Sequence, residues 1–231
     1  MHLAVFAPAF TFSLCESERS RKPQVRIASV VMHHFKKNKK DKVTLEKRYE
    51  ILSSLPTYGP MYVPVTDNGE PYYSEGFPVR FYKSDGTEWV ANFQPGWTDL
   101  KEIIEFEKTQ NLLVVACGTC YLMNPDDTKP IEVFGTGYSD IFKASNDRLV
   151  FQDQIDLTII EPDGKHWDTE RISWDGLKGI TIENNILTGL SYDPMREANE
   201  WVPFAYNIDT RTLTGGSYRK YDNKKPWWKI W

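Results

Sequence analysis

Two cysteines form the one spacing in this chain that is typical of redox or zinc chemistry. Cys117 and Cys120 flank Gly118-Thr119, and a Cys-x-x-Cys pair can exchange disulfides or supply half of a zinc site. A redox pair needs a helix N-terminus to lower the thiol pKa, and no helix is predicted here. A zinc site needs two more ligands, but the repeat region offers a single histidine, His166, and no further cysteine. We therefore predict no metal and no cofactor, and interpret both cysteines as small apolar strand residues.

The scarcity of histidine also limits nucleophilic catalysis. A Ser-His-Asp or Cys-His arrangement would have to use His166, which follows a turn and is interpreted as a solvent-facing residue. Carboxylates are plentiful, so an acid/base pair of the glycosidase type remains an alternative. The candidates recur beside aromatic residues or share one predicted strand: Asp99, Asp140, Asp175, Asp153 and Asp156. Because recurrence favours hydrogen bonds in turns over catalysis, we predict no catalytic residue and favour a protein that is not an enzyme.

Two landmarks recur along the chain in matching steps. An acidic turn closes an apolar run with steps of 41, 37 and 46 residues, at Asp85, Asp126, Asp163 and Asp209. An aromatic residue, followed two or three positions later by an aliphatic one, recurs with steps of 41, 36 and 44 residues, at Trp97, Tyr138, Trp174 and, more weakly, Tyr218. Because the spacings of both landmarks lengthen and shorten together, they indicate one repeated structural unit. We expect the aromatic landmarks to fill the seams between units.

The repeated unit is built from strands. After Tyr62 the chain consists of short runs rich in Val, Ile, Tyr, Phe and Trp between Asp-Gly, Asn-Asp and Asn-Asn turns, which is typical of hairpins. The second to fourth units predict strands around 103–106, 112–116, 120–123, 131–134, 141–142, 149–151, 157–160, 171–173 and from 177 onward. Four strands in about forty residues resemble one blade of a β-propeller. The fold class predicted is mainly β, with four propeller-like antiparallel meander units that form a short or open propeller; a two-sheet sandwich is the alternative.

The remaining segments suggest three divisions of the chain. Residues 1–40 are predicted to be disordered or a non-native extension, with Met32 as an alternative start. Residues 41–60 are predicted to form one short helix and a linker, because the apolar positions over Thr44–Ser54 follow helical spacing and Pro56 stops it. Residues 61–231 are the propeller-like domain, which closes with a tail rich in Trp and Lys.

Charge is distributed unevenly and restricts the partners. Residues 1–48 hold 11 Lys+Arg against 4 Asp+Glu, whereas residues 49–231 hold 17 against 28. A body of charge −11 repels phosphate backbones, so nucleic acid is an unlikely ligand.

Two further features bear on localisation. The apolar run Leu3–Leu14 is too short to span a bilayer, and three cysteines favour a reducing compartment. We predict a cytoplasmic protein without a transmembrane segment; export is the alternative if that run is a degenerate signal peptide.

Two features interrupt the repeat and supply the candidate binding residues. An insertion of nine residues, 193–201, lengthens the fourth unit, and loops on a rigid scaffold are where binding residues concentrate. The tail adds tryptophans edged by lysines, which form either an interaction patch or a closing strand. The candidates are Tyr192, Arg196, Glu200, Trp201, Trp227 and Trp228.

The C-terminal part resembles uncharacterised bacterial proteins in Ser191–Pro194, Asn199–Phe204 and Gly215–Tyr218, a resemblance that implies no function. The function predicted is a non-catalytic protein-binding module with an acidic surface, in a scaffolding or toxin-neutralising role. The alternative is a carbohydrate-active hydrolase with paired carboxylates. The sequence leaves the oligomeric state open.

Overall fold

The computed structural model describes residues 48–59, 61–195 and 197–219, and this part of the chain is almost entirely β. Its 16 strands form four sheets of four strands each. A short 3-10 turn, Ser145–Asp147, is the one helical element among the described residues. None of the described helices has the length and apolar character needed to cross a membrane. The predicted class, mainly β with four four-stranded units, is therefore confirmed at the level of the sheets.

The first sheet differs from a simple meander. Its strands, in the spatial order β1-β3-β4-β2, are β1 (Tyr49–Ile51), β2 (Val63–Val65), β3 (Phe77–Tyr82) and β4 (Glu88–Phe93). Strand β2 runs parallel to β4, while the other neighbours are antiparallel. The connections before and after β2 are long, and a parallel neighbour requires such a crossover.

The helix predicted over Thr44–Ser54 is wrong for the described residues of that segment. Tyr49 and Ile51 lie in β1, opposite Phe81 and Val79 of β3. Both residues therefore face the same side of the sheet, as alternate residues of a strand do. A window of a few apolar residues fits a period of two as well as a period of 3.6, and here pairing with β3 decides the outcome. The predictions for residues 1–40 lie outside the described residues.

The other three sheets are antiparallel meanders in chain order. The second sheet contains β5 (Lys101–Phe106), β6 (Asn111–Ala116), β7 (Thr119–Met123) and β8 (Glu132–Phe134). The third contains β9 (Asp140–Lys143), β10 (Leu149–Gln152), β11 (Leu157–Ile160) and β12 (His166–Asp168). The fourth contains β13 (Leu177–Glu183), β14 (Ile186–Asp193), β15 (Glu200–Asn207) and β16 (Thr212–Gly215).

Most strands predicted for these units are confirmed, but the last strand of the third unit is misplaced. Residues 171–173 are not a strand, and β12 lies five residues earlier. Ile172 and Ser173 are both fully buried, which explains why the segment resembles a strand in sequence. Their two backbone N–H groups both donate to the carbonyl oxygen of Ile155, an arrangement that belongs to an irregular connection.

The four sheets pack on one another in series. The first cluster of buried residues joins the first and second sheets, the next joins the second and third, and the last joins the third and fourth. Strand β6 shows how an inner sheet serves two neighbours: Leu112 and Val114 pack toward the first sheet, while Leu113 and Val115 pack toward the third. The two inner sheets thus bury apolar side chains on both faces, and their central strands β6, β7, β10 and β11 are nearly continuous hydrophobic runs.

Aromatic residues fill the seams, but not all of the landmark residues do so. Tyr138 is buried between the second and third sheets, where its ring contacts Phe151 edge-on at 5.3 Å. Trp174 is half-buried, and its ring packs against that of Tyr218 with a centroid distance of 4.7 Å and an interplanar angle of 58°. The expectation is wrong for Trp97, which is 89% exposed on the connection between β4 and β5. The first seam is filled instead by the strand residues, with Phe93 and Tyr121 among them.

The recurrent acidic turns have structural roles that differ in detail. The Asp85 carboxylate accepts hydrogen bonds from Thr87, and that of Asp163 accepts one from the Lys165 backbone N–H. Asp126 accepts from Ser84 in the turn of the preceding sheet, at 2.6 and 2.9 Å. Asp209 accepts from Arg148 of the third sheet, at 2.6 Å. These bonds hold the pKa of each carboxyl below its usual value. The interpretation of these aspartates as structural residues fits this geometry.

Among the described residues, the buried clusters cover one face of the fourth sheet. No buried cluster of described residues joins the first sheet to the fourth. The outer face of the fourth sheet carries exposed apolar side chains, among them Ile186 at 41% and Trp201 at 38%. In a closed ring of sheets this face would be covered by the first sheet.

The packing of the second sheet on the third can be tested by substitution in the core between them. Leu113 is 1% exposed within it, so Leu113→Ala should lower the free energy of unfolding by about 2–5 kcal/mol. Ile131 is 56% exposed, and Ile131→Ala should change it by less than about 0.5 kcal/mol. Urea denaturation of the two variants measures both. Equal effects would contradict the assignment of Leu113 to a core between sheets.

Candidate functional site

The candidate site lies on the outer face of the fourth sheet, where two of the predicted binding residues are direct neighbours. Tyr192 on β14 pairs with Trp201 on β15, and their rings lie 5.1 Å apart at an interplanar angle of 39°. Their opposite neighbours along the strands, Ser191 and Val202, belong to the inner face, where Ser191 is fully buried. The alternation of β-strands therefore fixes both rings on the side that no other sheet covers.

The Trp201 ring contacts a lysine on β13 and a glycine just before that strand. The Lys178 ammonium lies 3.6 Å from the ring centroid, close enough for a cation–π contact. Lys178 is on β13 opposite Leu190, and so projects from the same face as Tyr192. Gly176, at φ 97°, lies beside the ring, because an added Cβ would be in ordinary van der Waals contact with its Cη2 atom at 3.7 Å. The indole thus contacts Lys178, Tyr192 and Gly176, while Trp201 stays 38% exposed.

The segment between β14 and β15 begins with a defined turn. The buried Asp193 carboxylate accepts a hydrogen bond from the Met195 backbone N–H at 3.1 Å. The N–H groups of Ala198 and Asn199 both donate to the Met195 carbonyl oxygen. Asn199 also accepts a hydrogen bond from the Tyr192 hydroxyl. The turn therefore connects directly to the aromatic pair, and Met195 is 45% exposed beside it.

The structure brings together some of the predicted residues and not others. Tyr192 and Trp201 form one patch, whereas Glu200 precedes Trp201 on β15 and projects from the opposite face. The predicted residues Arg196, Trp227 and Trp228 lie outside the described residues. Lys178 was not predicted, because its contact depends on the register between β13, β14 and β15. We call Lys178, Tyr192 and Trp201 the aromatic patch.

Comparison with family models and with curated proteins finds no match to this chain. The interpretation of the site therefore depends on its geometry alone.

The interpretation of both cysteines as apolar strand residues is confirmed for Cys120 and wrong for Cys117, which is a partly buried turn residue. Cys120 is fully buried on β7, and burial raises the pKa of its thiol well above the usual value. Cys117 lies at the turn between β6 and β7 with φ 52°. A raised thiol pKa opposes formation of the thiolate that redox and zinc chemistry require. Among the described residues, no group of three or more His, Cys, Asp or Glu side chains is placed to hold a metal ion.

A second group of ionisable residues lies at one end of the third sheet. Asp153 and Asp156 are in the turn between β10 and β11, not on one strand as the sequence suggested. Burial raises the pKa of Asp156 to about 6, with further contributions from the charges of Asp153 and Asp168 and an opposing one from Arg171. The Asp168 carboxylate accepts a hydrogen bond from Thr158 at 2.6 Å. Burial and the neighbouring carboxylates thus favour the protonated form of Asp156 at higher pH than for an ordinary aspartate.

The raised pKa of Asp156 predicts how stability depends on pH. The folded state binds the proton more tightly than the unfolded chain, whose Asp pKa is about 3.9. Stability should therefore fall as pH rises through about 6. Asp156→Asn removes this loss, so the variant should be more stable than the wild type at pH 7.5, by about 1–2 kcal/mol after allowance for partial solvent exposure. Near pH 4 the two proteins should be equally stable.

Thermal unfolding from pH 4 to 8 measures this difference. Asp99→Asn, at an exposed position on the preceding connection, is the matched control and should show no such trend. A constant difference between Asp156→Asn and wild type across this range would contradict the prediction.

Proposed function

We propose that this protein is a non-catalytic binding module that recognises another protein through the aromatic patch on its fourth sheet. The observation that supports this most is the position of Trp201, which packs against Lys178, Tyr192 and Gly176 and is still 38% exposed on the outer face of the fourth sheet. Large aromatic residues that are rigid and still partly exposed are typical centres of protein interfaces. The propeller-like series of sheets then acts as a scaffold that presents this face.

The patch extends along the same face of the fourth sheet. Leu190, Pro203 and Ala205 project from this side, because each is an even number of residues from Tyr192 or Trp201 on its strand. Ile186 continues the face at the far end of β14, with 41% exposure. A flat, partly apolar surface of this kind suits a partner that covers Trp201 with apolar side chains.

The net negative charge of residues 49–231 indicates what kind of surface the partner has. These residues hold 17 Lys+Arg and 28 Asp+Glu, a net charge of −11. A field of this sign accelerates association with a basic surface and opposes association with an acidic one. The proposed partner therefore has apolar side chains surrounded by Lys and Arg, as a scaffolding target or a basic toxin would. Because electrostatic steering is screened by salt, association should slow as ionic strength rises.

Substitution of Trp201 tests the proposal. We expect the immobilised wild-type protein to retain one stoichiometric protein from native lysate at low and at physiological salt. Trp201→Ala should lower the affinity for that protein at least tenfold, since loss of a central aromatic residue costs about 2 kcal/mol or more. Trp97→Ala is the matched control, because Trp97 is 89% exposed but lies on the connection between β4 and β5. Failure to retain any stoichiometric protein, or equal loss in both variants, would refute the proposal.

A second candidate, a hydrolase acting on carbohydrate, is favoured by one observation. Asp156 has the raised pKa of a general acid. Burial is the main cause, and the negative charge of the nearby Asp153 raises this pKa further. The nearby aromatic residues are less favourable, because the Tyr138 ring is buried and its hydroxyl is hydrogen-bonded to Thr158 at 2.7 Å. If this candidate is correct, hydrolysis of a glycan should be lost in Asp156→Asn and retained in Trp201→Ala.

A further inference from the structure

A cavity between the second and third sheets has no part in the proposed function. Its volume is about 390 Å³, and it lies where the turn after β5 approaches the turn between β9 and β10. Cavities that bind small molecules have volumes of about 300–1,000 Å³. The aromatic patch and the turn with Asp156 belong to other parts of the molecule, since no residue of either lines this cavity.

The inner wall of the cavity is apolar. Ile104 and Phe106 of β5 project toward the third sheet, and Leu149 of β10 faces them from the other side. Phe106 is 5% exposed and Leu149 9%, so both are set by the core and do not need to move to admit a ligand. A preformed apolar wall suits the apolar part of a small organic molecule.

The charged groups at the rim are not equivalent. Lys143 is paired with Leu149 across β9 and β10, and so projects from the same face of the third sheet toward the cavity. Lys108 lies on the opposite side, in the turn after β5. Neither ammonium forms an ion pair with another described residue. Both are therefore available to a ligand.

Four other charged residues near the cavity are directed elsewhere or lie in the turns at its rim. Glu105 is two residues from Ile103, which packs toward the first sheet, so the Glu105 side chain projects from the far face of the second sheet. Arg148 is neutralised by Glu161 at 3.2 Å and Asp209 at 2.6 Å. Glu107 and Asp147 are exposed in the two turns. Lys143 is thus the charged side chain whose strand position directs it at the cavity.

We propose that this cavity is a binding site for a small amphipathic anion, an aromatic or short aliphatic carboxylate. The apolar part of the ligand lies against Phe106, Ile104 and Leu149, and its carboxylate accepts charge-assisted hydrogen bonds from Lys143 and Lys108. Glu107 and Asp147 select against a second negative group on the ligand. This site is independent of the aromatic patch, so either proposal can fail without the other.

Calorimetric titration with naphthalene-2-carboxylate tests the site, with naphthalene-2-methylammonium as the matched cation. We expect saturable binding of the acid with one site per chain and markedly weaker binding of the cation. Lys143→Met should weaken binding of the acid about five- to tenfold, since a charge-assisted hydrogen bond is lost. Glu107→Gln should strengthen it, because a repulsive carboxylate is removed.

Lys165→Met is the control variant, since Lys165 is exposed in another turn and paired with Asp163 at 2.9 Å. It should bind the acid as the wild type does. Unchanged binding in Lys143→Met, equal binding of acid and cation, or the absence of saturable binding would each overturn the proposal. Far-ultraviolet circular dichroism of each variant establishes that the sheets are intact.

Discussion

The need of each inner sheet to bury both of its faces governs this structure. A sheet with one apolar face is satisfied by a single neighbour, but β6 and β10 place buried side chains alternately on both sides. Two covering sheets are then required, one on each side, because apolar surface left in water costs about 25 cal/mol per Å². The second and third sheets cover each other, and the first and fourth sheets complete the burial. The positions of the turns, the aromatic patch and the cavity all follow from this order.

The ends of the sheets are connected by polar contacts that reach from one sheet to the next. Asp126 accepts from Ser84, and Arg148 joins Glu161 of its own sheet to Asp209 of the fourth. Individually such exposed or half-exposed pairs contribute little to stability, because solvent screens them. Each of them requires a particular placement of the two turns that it joins. The apolar seams supply the stability, and these contacts select one arrangement among those that bury similar area.

Much of the fold was predictable from the sequence, since local signals determine hairpins. Turn residues such as Asn184-Asn185, both at positive φ, mark a hairpin whatever surrounds it. For segments whose structure depends on tertiary contacts, the sequence-based prediction was wrong or could not be made. Residues 49–51 fit helix and strand alike until β3 is placed beside them. Trp97 has the same local pattern as Tyr138, and only the fold places one in water and the other in a seam. The site was half predictable for the same reason: Tyr192 directly precedes the insertion 193–201 and Trp201 ends it, whereas Lys178 and the burial of Asp156 depend on register and packing.

The serial arrangement has a consequence for how the molecule opens. Each sheet contacts only its immediate neighbours through the buried clusters, so the coupling between units resembles that of a one-dimensional array. Detaching the fourth sheet breaks one seam, whereas detaching the third breaks two. Rare openings should therefore start at the outer unit and spread inward, and amide protons of the fourth sheet should exchange with solvent ahead of those in β6 and β10. The surface that carries Trp201 then belongs to one of the two outer units, each joined to the others by a single seam, so a partner bound there would stabilise one end of the array.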